Sequence, residues 1–368
     1  MNVHATRRGA KYGAGALVLS LTLAACGSSS SKSSGSTNSS SSGNSTGSTA
    51  QVSGTLNGSG STFQQIFEQS LITGFKSVQS GATVTYDGTG STAGKTALAN
   101  GTADFAGTDS PVKTTETAQY KGKALLYFPI VGGPIAVAYN VGGLKNLKLS
   151  PDTLANIFQA KITKWNDAAI KADNPGASLP STTITVVHRS DGSGTTSNFT
   201  KYLAAASKQF TLTPGETVSW PAGTVGAAKN PGVASAVTKT DGAIGYVDYS
   251  TAVADKLNMA SIKNSAGSFV APSLAGSTAA LDAATINDDL TFSPLNEAGA
   301  TTYPITSPTW ILVYKNQTDA TKAAVLKAYL AYALGAGQQL AAQSYYSALP
   351  QSLDQKAVAQ IAQITVGS

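Results

Sequence analysis

The sequence predicts an α/β protein, and three observations carry that reading. Short apolar runs of strand length alternate with amphipathic segments of helix length, glycines stand at the turns between them, and an Ala/Leu-rich segment lies near the C-terminus. Residues 83–86, 124–128, 135–139, 184–187, 243–247 and 310–314 read as buried strands. Phe63, Ile66, Phe67, Leu71 and Phe75 recur near helical spacing and predict a helix. Residues 320–340 predict a long docking helix, with Asp319 placed to cap its N-terminus. The chain has 368 residues, 41% hydrophobic and only 12% charged, which is enough for two domains with real cores.

The N-terminal segment speaks to location. Arg7, Arg8 and Lys11 precede an apolar stretch, 14–25, that is too short to span a bilayer. The stretch ends in Leu23-Ala24-Ala25-Cys26, which resembles a bacterial lipobox, so 1–25 is expected to be a signal peptide and Cys26 to be lipidated. Cys26 is the single cysteine, so no intrachain disulfide can form. From Gly27 to Thr49 the text is almost wholly Ser, Gly, Thr and Asn. Such a segment cannot bury enough apolar area to offset its ordering entropy, and 26–51 is expected to be a disordered tether with a reach of roughly 25–30 Å. The formal charge is +6, and cleavage would remove three positive charges, leaving +3. With no run of Lys or Arg in the body, that balance does not support a nucleic-acid partner.

Three loops share one chemistry: Gly58-Ser59-Gly60-Ser61-Thr62-Phe63, Gly88-Thr89-Gly90-Ser91-Thr92-Ala93-Gly94, and Asp191-Gly192-Ser193-Gly194-Thr195-Thr196. Each precedes a helical pattern. A single loop of this kind is explained by helix capping alone. Three of them, one beside Arg189, predict a convergence of free N–H groups, hydroxyls and helix dipoles on an oxyanion.

Catalysis finds little support. The stretch Thr89 to Thr96 ends in Gly94-Lys95-Thr96, but a P-loop needs glycine at position 89, where threonine stands. His188 is the one histidine left after His4 departs, and its strand neighbour Arg189 should point to the opposite face. No G-x-S-x-G elbow surrounds Ser91 or Ser193, so a serine hydrolase or phosphatase is disfavoured. One histidine without a thiol cluster offers no metal site. No catalytic residue, cofactor or metal is therefore expected.

What remains is binding without chemistry. Arg189 would supply charge-assisted contacts, and Asp191, two residues on, would fix its guanidinium. Asp109 makes sense near an anion only if the ligand donates a proton to it. Without that proton, a carboxylate about 4 Å from an anionic oxygen costs on the order of 4 kcal/mol at an effective dielectric of about 20. That amounts to a roughly thousandfold rejection of sulfate, which lacks the proton that phosphate carries.

The motifs GSGSTF (58–63), YDGTGSTAG (86–94), DFAGTD (104–109), KITKWND (161–167), HRSDGSGTT (188–196), GAIGYVDY (242–249) and YYSALP (345–350), in that order, resemble the PstS-type phosphate-binding proteins of bacterial ABC phosphate importers. The resemblance implies a two-lobed, type II periplasmic-binding-protein fold with phosphate between the lobes. It places lobe I at 52–133 and 307–368 and lobe II at 134–306, with crossings near Val131-Gly132-Gly133-Pro134 and 304–308. Carried over position by position, it implies phosphate contacts from Thr62, Phe63, Ser91, Asp109, Arg189, Ser193, Gly194 and Thr195, with Asp191 orienting the arginine. Ser61 and Thr108 stand where the family has smaller residues, and His188 where another residue precedes the arginine. The implied protein is a monomer, lipid-anchored on the outer face of a Gram-positive cell membrane, whose partners are inorganic phosphate and the permease subunits. A different oxyanion, or a phosphate-sensing role, is the alternative. Trp165, Trp220 and Trp310 are read as packing residues.

Overall fold

A computed structural model describes residues 50–367; the expected signal peptide, Cys26 and the tether up to residue 49 lie outside the described residues. The first strand, β1 (Gly54–Gly60), is followed by helix α1 (Gln65–Val78), whose buried face carries Phe67, Leu71 and Phe75. Strand β2 (Ala82–Gly88) pairs parallel to β1, from Gly54↔Ala82 to Gly60↔Gly88. Helix α2 (Ser91–Asn100) then leads to β3 (Phe105–Thr108), parallel to β1 on its other side.

The long strand β4 (Leu125–Asn140) is buried from Leu126 to Tyr139. After it come β5 (Lys148–Leu149), α3 (Pro151–Phe158), α4 (Ala168–Asp173), β6 (Thr185–Arg189) and α5 (Gly194–Ala206). Next are β7 (Val225–Ala227), α6 (Lys229–Lys239), β8 (Ala243–Asp248) and α7 (Tyr249–Ala254). The chain continues through β9 (Asn258–Met259), β10 (Ser261–Lys263), β11 (Phe269–Val270) and α8 (Leu274–Ala283). It closes with β12 (Thr306–Tyr314), β13 (Asn316–Gln317), α9 (Ala320–Leu334), α10 (Gln351–Gln360) and β14 (Thr365–Val366). The main sheet has the order β2-β1-β3-β12-β4-β8-β6-β7, with β9 also on β4.

Residues 124–128 and 135–139, expected as two strands, form the single strand β4. The glycine and proline punctuation between them does not break it, because the strand changes partner there. Residues from Leu125 to Pro134 pair with β12, and those from Ile135 to Asn140 pair with β8. Pro129 sits beside the irregularity opposite Thr309 and Trp310, and Pro134 at the change of partner, two places where a missing N–H is tolerated.

The expected helix 320–340 stops at Leu334, where Gly335 turns the chain into a 3-10 segment, Ala336–Leu340. Its Asp319 cap is present, accepting from the N–H groups of Thr321 at 2.8 Å and Lys322 at 3.0 Å. Trp165 and Trp310 are buried in the core, their indole N–H groups bound to the carbonyls of Gly242 and Leu290.

Strands β1 and β3 escaped the sequence reading because they are built on close backbone approach rather than on large side chains. Gly60 has a φ of 150°, and a Cβ there would lie 2.1 Å from the Gly107 carbonyl oxygen. A Cβ on Gly94 of α2 would lie 2.4 Å from the Gly60 Cα. The N-terminal turn of α2 thus rests directly on the end of β1. Gly94→Ala is expected to cost about 1–3 kcal/mol or more through overpacking, read as a lower urea midpoint. Gly142→Ala, with nothing within 4 Å of the new Cβ, should leave that midpoint in place.

Candidate functional site

Strand β6 delivers Arg189 at its C-terminal end, and its two-residue period sends His188 to the other face. The His188 ring stacks on Trp220 with centroids 5.1 Å apart. Its Nε2 lies 3.1 Å from the Thr224 hydroxyl and its Nδ1 2.9 Å from the Arg189 carbonyl oxygen. Burial pushes its pKa below the ordinary value, so it is a neutral packing residue.

Arg189 is buried, its side chain 1% exposed. Its Nε donates to Asp191 Oδ1 at 2.7 Å, its Nη2 to Asp191 Oδ2, and its Nη1 to Asn230 Oδ1 at 3.1 Å. Burial pushes the Asp191 pKa up, but the hydrogen bonds and charge of Arg189, with the Lys229 N–H, outweigh it and hold the carboxyl below its ordinary value. Two edges of the guanidinium are therefore committed, and the plane is fixed.

Just beyond, Ser193 caps α5 by accepting the Thr196 N–H at 3.1 Å. The Gly194 N–H donates to Ser91 Oγ at 3.1 Å, and the same oxygen accepts the Asp109 N–H at 3.3 Å. Ser91 opens α2, so the N-termini of α2 and α5 meet. A further N-terminus, that of α6, joins them and was not foreseen. Its Asn230 N–H donates to Thr62 Oγ1 at 3.3 Å, and its side-chain amide reaches Thr195 Oγ1 at 3.5 Å.

Asp109 follows β3 and is 1% exposed. Its Oδ2 accepts from Ser61 Oγ at 2.7 Å and its Oδ1 from Thr309 Oγ1 at 2.7 Å. Ser61 Oγ also accepts the Phe63 N–H at 3.0 Å. Burial raises the Asp109 pKa to about 7 against the opposing pull of Ser61, Thr309 and Arg189.

The structure thus brings Thr62, Phe63, Ser91, Asp109, Arg189, Asp191, Ser193, Gly194 and Thr195 together. Ser61, Thr309, Asn230 and Asn198 belong to the same cluster and were missed; Asn198 donates to the Asp109 carbonyl at 2.6 Å. Ser61 lies inside the GSGSTF motif, and Asn198 two residues beyond HRSDGSGTT. Among the described residues no group of three His, Cys, Asp or Glu could hold a metal ion.

The near P-loop lysine has a different use. Lys95, 1% exposed, lies 2.7 Å from Glu216 Oε1 and 2.8 Å from Glu116 Oε2. The hydroxyls of Thr92 and Ser110 donate to the same Glu216 carboxylate. Burial raises the Glu216 pKa, but Lys95 and these hydroxyls overcome it and leave the carboxylate below its ordinary value. Glu216→Gln is expected to lower stability by roughly 3 kcal/mol, the low end for breaking a buried pair because Glu116 still faces Lys95. Chemical denaturation of the variant reads this, and an unchanged midpoint would remove the pair from the account.

Chemically the cluster offers many fixed donors, one guanidinium and one buried acceptor. That set suits a small oxyanion carrying a proton and contains no activated nucleophile.

Comparison with known proteins agrees with this chemistry. Residues 45–336 match the model of the PBP superfamily domain. The chain is 40% identical over 292 residues to the phosphate-binding protein PstS of Pasteurella multocida, covering 77% of this chain and 83% of that one. It is 36% identical over 354 residues to the phosphate-binding protein PstS 2 of Mycobacterium tuberculosis, covering 93% and 94%. Among solved structures it resembles a high-affinity periplasmic phosphate-binding protein, PfluDING, with phosphate bound. That match has a TM-score of 0.71 and 24% identity over 83% of this chain and 94% of the other.

Proposed function

Because the chain belongs to the PBP superfamily and, within it, to the PstS phosphate-binding proteins, we propose that it captures inorganic phosphate outside the cytoplasmic membrane and delivers it to an ABC importer. The fold is the two-lobed, type II periplasmic-binding-protein architecture. The observation that carries the ligand assignment is Asp109, a buried carboxylate set among donors. It accepts the phosphate proton. Arg189, locked by Asp191 and Asn230, binds phosphate oxygens through its remaining N–H groups. The hydroxyls of Thr62, Ser91, Ser193 and Thr195 and the dipoles of α2 and α5 complete the cradle, joined by the N–H groups of Phe63 and Gly194 as they exchange Ser61 and Ser91 Oγ for phosphate oxygens.

Lobe I comprises 52–133 and 307–368 and lobe II comprises 134–306. The first passage lies where β4 exchanges β12 for β8, the second where 304–308 enters β12. Thr62, Phe63, Ser91 and Asp109 then belong to one lobe and Arg189, Ser193, Gly194 and Thr195 to the other, so phosphate cross-links them and favours closure. At a net 1.5–3 kcal/mol for each hydrogen bond to a charged group, such a cradle exceeds the roughly 8 kcal/mol of a micromolar complex. Desolvation and lobe closure offset the surplus.

The protein acts by binding and not as an enzyme, a reading supported by His188, whose ring nitrogens face Thr224 and the Arg189 carbonyl and not a serine. The Leu-Ala-Ala-Cys box supports anchoring through lipid on Cys26, with 26–51 as the tether of a monomer on the outer face of a Gram-positive membrane. No helix of the described residues is long and apolar enough to cross a membrane.

Calorimetric titration of the mature chain, freed of phosphate by partial unfolding and dialysis, tests the assignment. Phosphate should bind at micromolar concentration or tighter, with sulfate silent; no phosphate heat from folded, ligand-free protein would defeat it. Arg189→Ala removes the two charged hydrogen bonds left to its free N–H groups, so phosphate affinity should fall by about 10²–10⁴-fold. In Asp109→Asn the amide can donate to an unprotonated oxyanion, and sulfate binding should emerge. If that variant binds sulfate no better than the parent, Asp109 does not set the discrimination.

A further inference from the structure

A second carboxyl is wired to Asp109 through the core. Asp109 Oδ1 lies 2.7 Å from Thr309 Oγ1, and Thr309 Oγ1 is also within hydrogen-bond distance of Gln64 Oε1. The Gln64 amide meets Glu68 Oε1 at 2.8 Å, and the Tyr329 hydroxyl donates to Glu68 Oε2. Glu68 lies on the buried face of α1 at 0% exposure and makes no ion pair among the described residues.

Counting protons constrains this chain. Three contacts join Asp109, Thr309, Gln64 and Glu68, and each needs one proton. Thr309 has one hydroxyl proton. Whichever way round the Gln64 amide sits, it offers a donor at one end and an acceptor at the other. Two protons therefore serve three contacts, and the Thr108 carbonyl, 3.2 Å from Thr309 Oγ1, only adds an acceptor. The third proton must come from a carboxylic acid, Asp109 or Glu68.

The two placements run the chain in opposite directions. With the proton on Asp109, Asp109 donates to Thr309, Thr309 to Gln64 and Gln64 to Glu68. With the proton on Glu68, Glu68 donates to a rotated Gln64, Gln64 to Thr309 and Thr309 to an ionised Asp109. Both carboxylates ionised would leave two acceptors facing each other in the core, a costly arrangement.

We propose that Asp109 and Glu68 share one proton, and that phosphate binding drives it to Glu68, which thereby holds Asp109 ionised and able to accept the proton of the ligand. This rests on the phosphate reading given above. Glu68 is a positioning residue, because it acts through Gln64 and Thr309 and touches no ligand.

The surroundings agree. Burial raises the pKa of Glu68 and of Asp109 to about 7 each, the region where one shared proton is retained. Asp109 also faces Arg189, which favours its charge, and Asp248, which opposes it. Asp248 is engaged by Ser250 and Thr251. Tyr86 and Tyr346 near Asp109, and Tyr329 on Glu68, are pushed by burial well above the ordinary tyrosine value and stay neutral.

The test is carbon NMR of the mature protein labelled at the Asp and Glu carboxyls, across neutral pH, with and without phosphate. One protonated carboxyl shared by Asp109 and Glu68 is expected in the phosphate-free protein, moving wholly to Glu68 when phosphate is added. Where Glu68 has lost its proton, binding must restore it, so parent affinity should fall by up to about tenfold per pH unit above that titration. Glu68→Gln mimics the protonated acid, and its affinity should lack that slope. Gln64→Leu cuts the chain, and in it the two carboxyls should titrate independently, which serves if Glu68→Gln folds poorly. Two ionised carboxylates at neutral pH, or a Glu68→Gln profile identical to the parent's, would overturn the proposal. Absence of phosphate binding would instead strike the functional reading, while the phosphate-free spectra still decide whether the proton is shared.

Discussion

Holding the Asp109 carboxyl at 1% exposure, with no cation in direct contact, carries a desolvation cost that must be offset by hydrogen bonds. The order of strands in the sheet supplies them. Strand β3, which ends just before Asp109, runs between β1 and β12. Ser61 follows β1 and Thr309 lies on β12, so the two neighbouring strands each bring a hydroxyl to the carboxylate. The glycine contacts that bring α2 against β1 serve the same point, because they set Ser91 at the head of α2 against the Asp109 N–H.

The electrostatics of the cluster follow from this constraint. Arg189 is the one guanidinium present, and Asp191 already neutralises it. With Asp109 ionised the cluster carries net negative charge before any anion arrives. Attraction must then come from oriented N–H groups, hydroxyls and helix termini, which need no mobile countercharge. This explains how a chain with so few charged residues can present an oxyanion site without a basic surface. On the proposed reading the discriminating element is an acceptor. In a site made almost wholly of donors, two anions of equal shape are told apart by whether one of them has a proton to give.

The parts of the site that sequence revealed are those where chemistry is contiguous. Arg189, Asp191, Ser193, Gly194 and Thr195 fall within seven positions because β6, its turn and the first turn of α5 are contiguous. Ser91 and Thr62 stand in short glycine- and hydroxyl-rich loops of the same kind. Thr309, Asn230 and Glu216 were not, because each reaches the cluster through tertiary placement: a hydroxyl on a buried strand, the second residue of α6, and a loop glutamate after α5. Glu68 was invisible for a further reason, since a glutamate within an amphipathic helix normally faces water, and only packing shows it on the apolar face. The fold class was legible from alternation. β4 was not, because a strand that changes partner midway needs glycine and proline where a strand end would also place them.

The two sets of loops are also joined directly to each other. Glu216, which follows α5, binds Lys95 and Thr92 of α2 and Ser110 after β3, while the Thr92 N–H donates to the Gly192 carbonyl at 3.3 Å. If these segments lie on opposite lobes, such contacts form only when the cleft is closed, and they favour the closed state alongside phosphate. Apparent affinity is the intrinsic affinity multiplied by the population of the competent state. A stronger latch therefore tightens binding until the competent state is fully populated. The hydroxyls of Thr92 and Ser110 add to the latch, because they bind the same Glu216 carboxylate from the side that carries Lys95. On the proposed lobe assignment, affinity is thus set in two places, at the cradle that holds the anion and at the Glu216 contacts that join the two sets of loops.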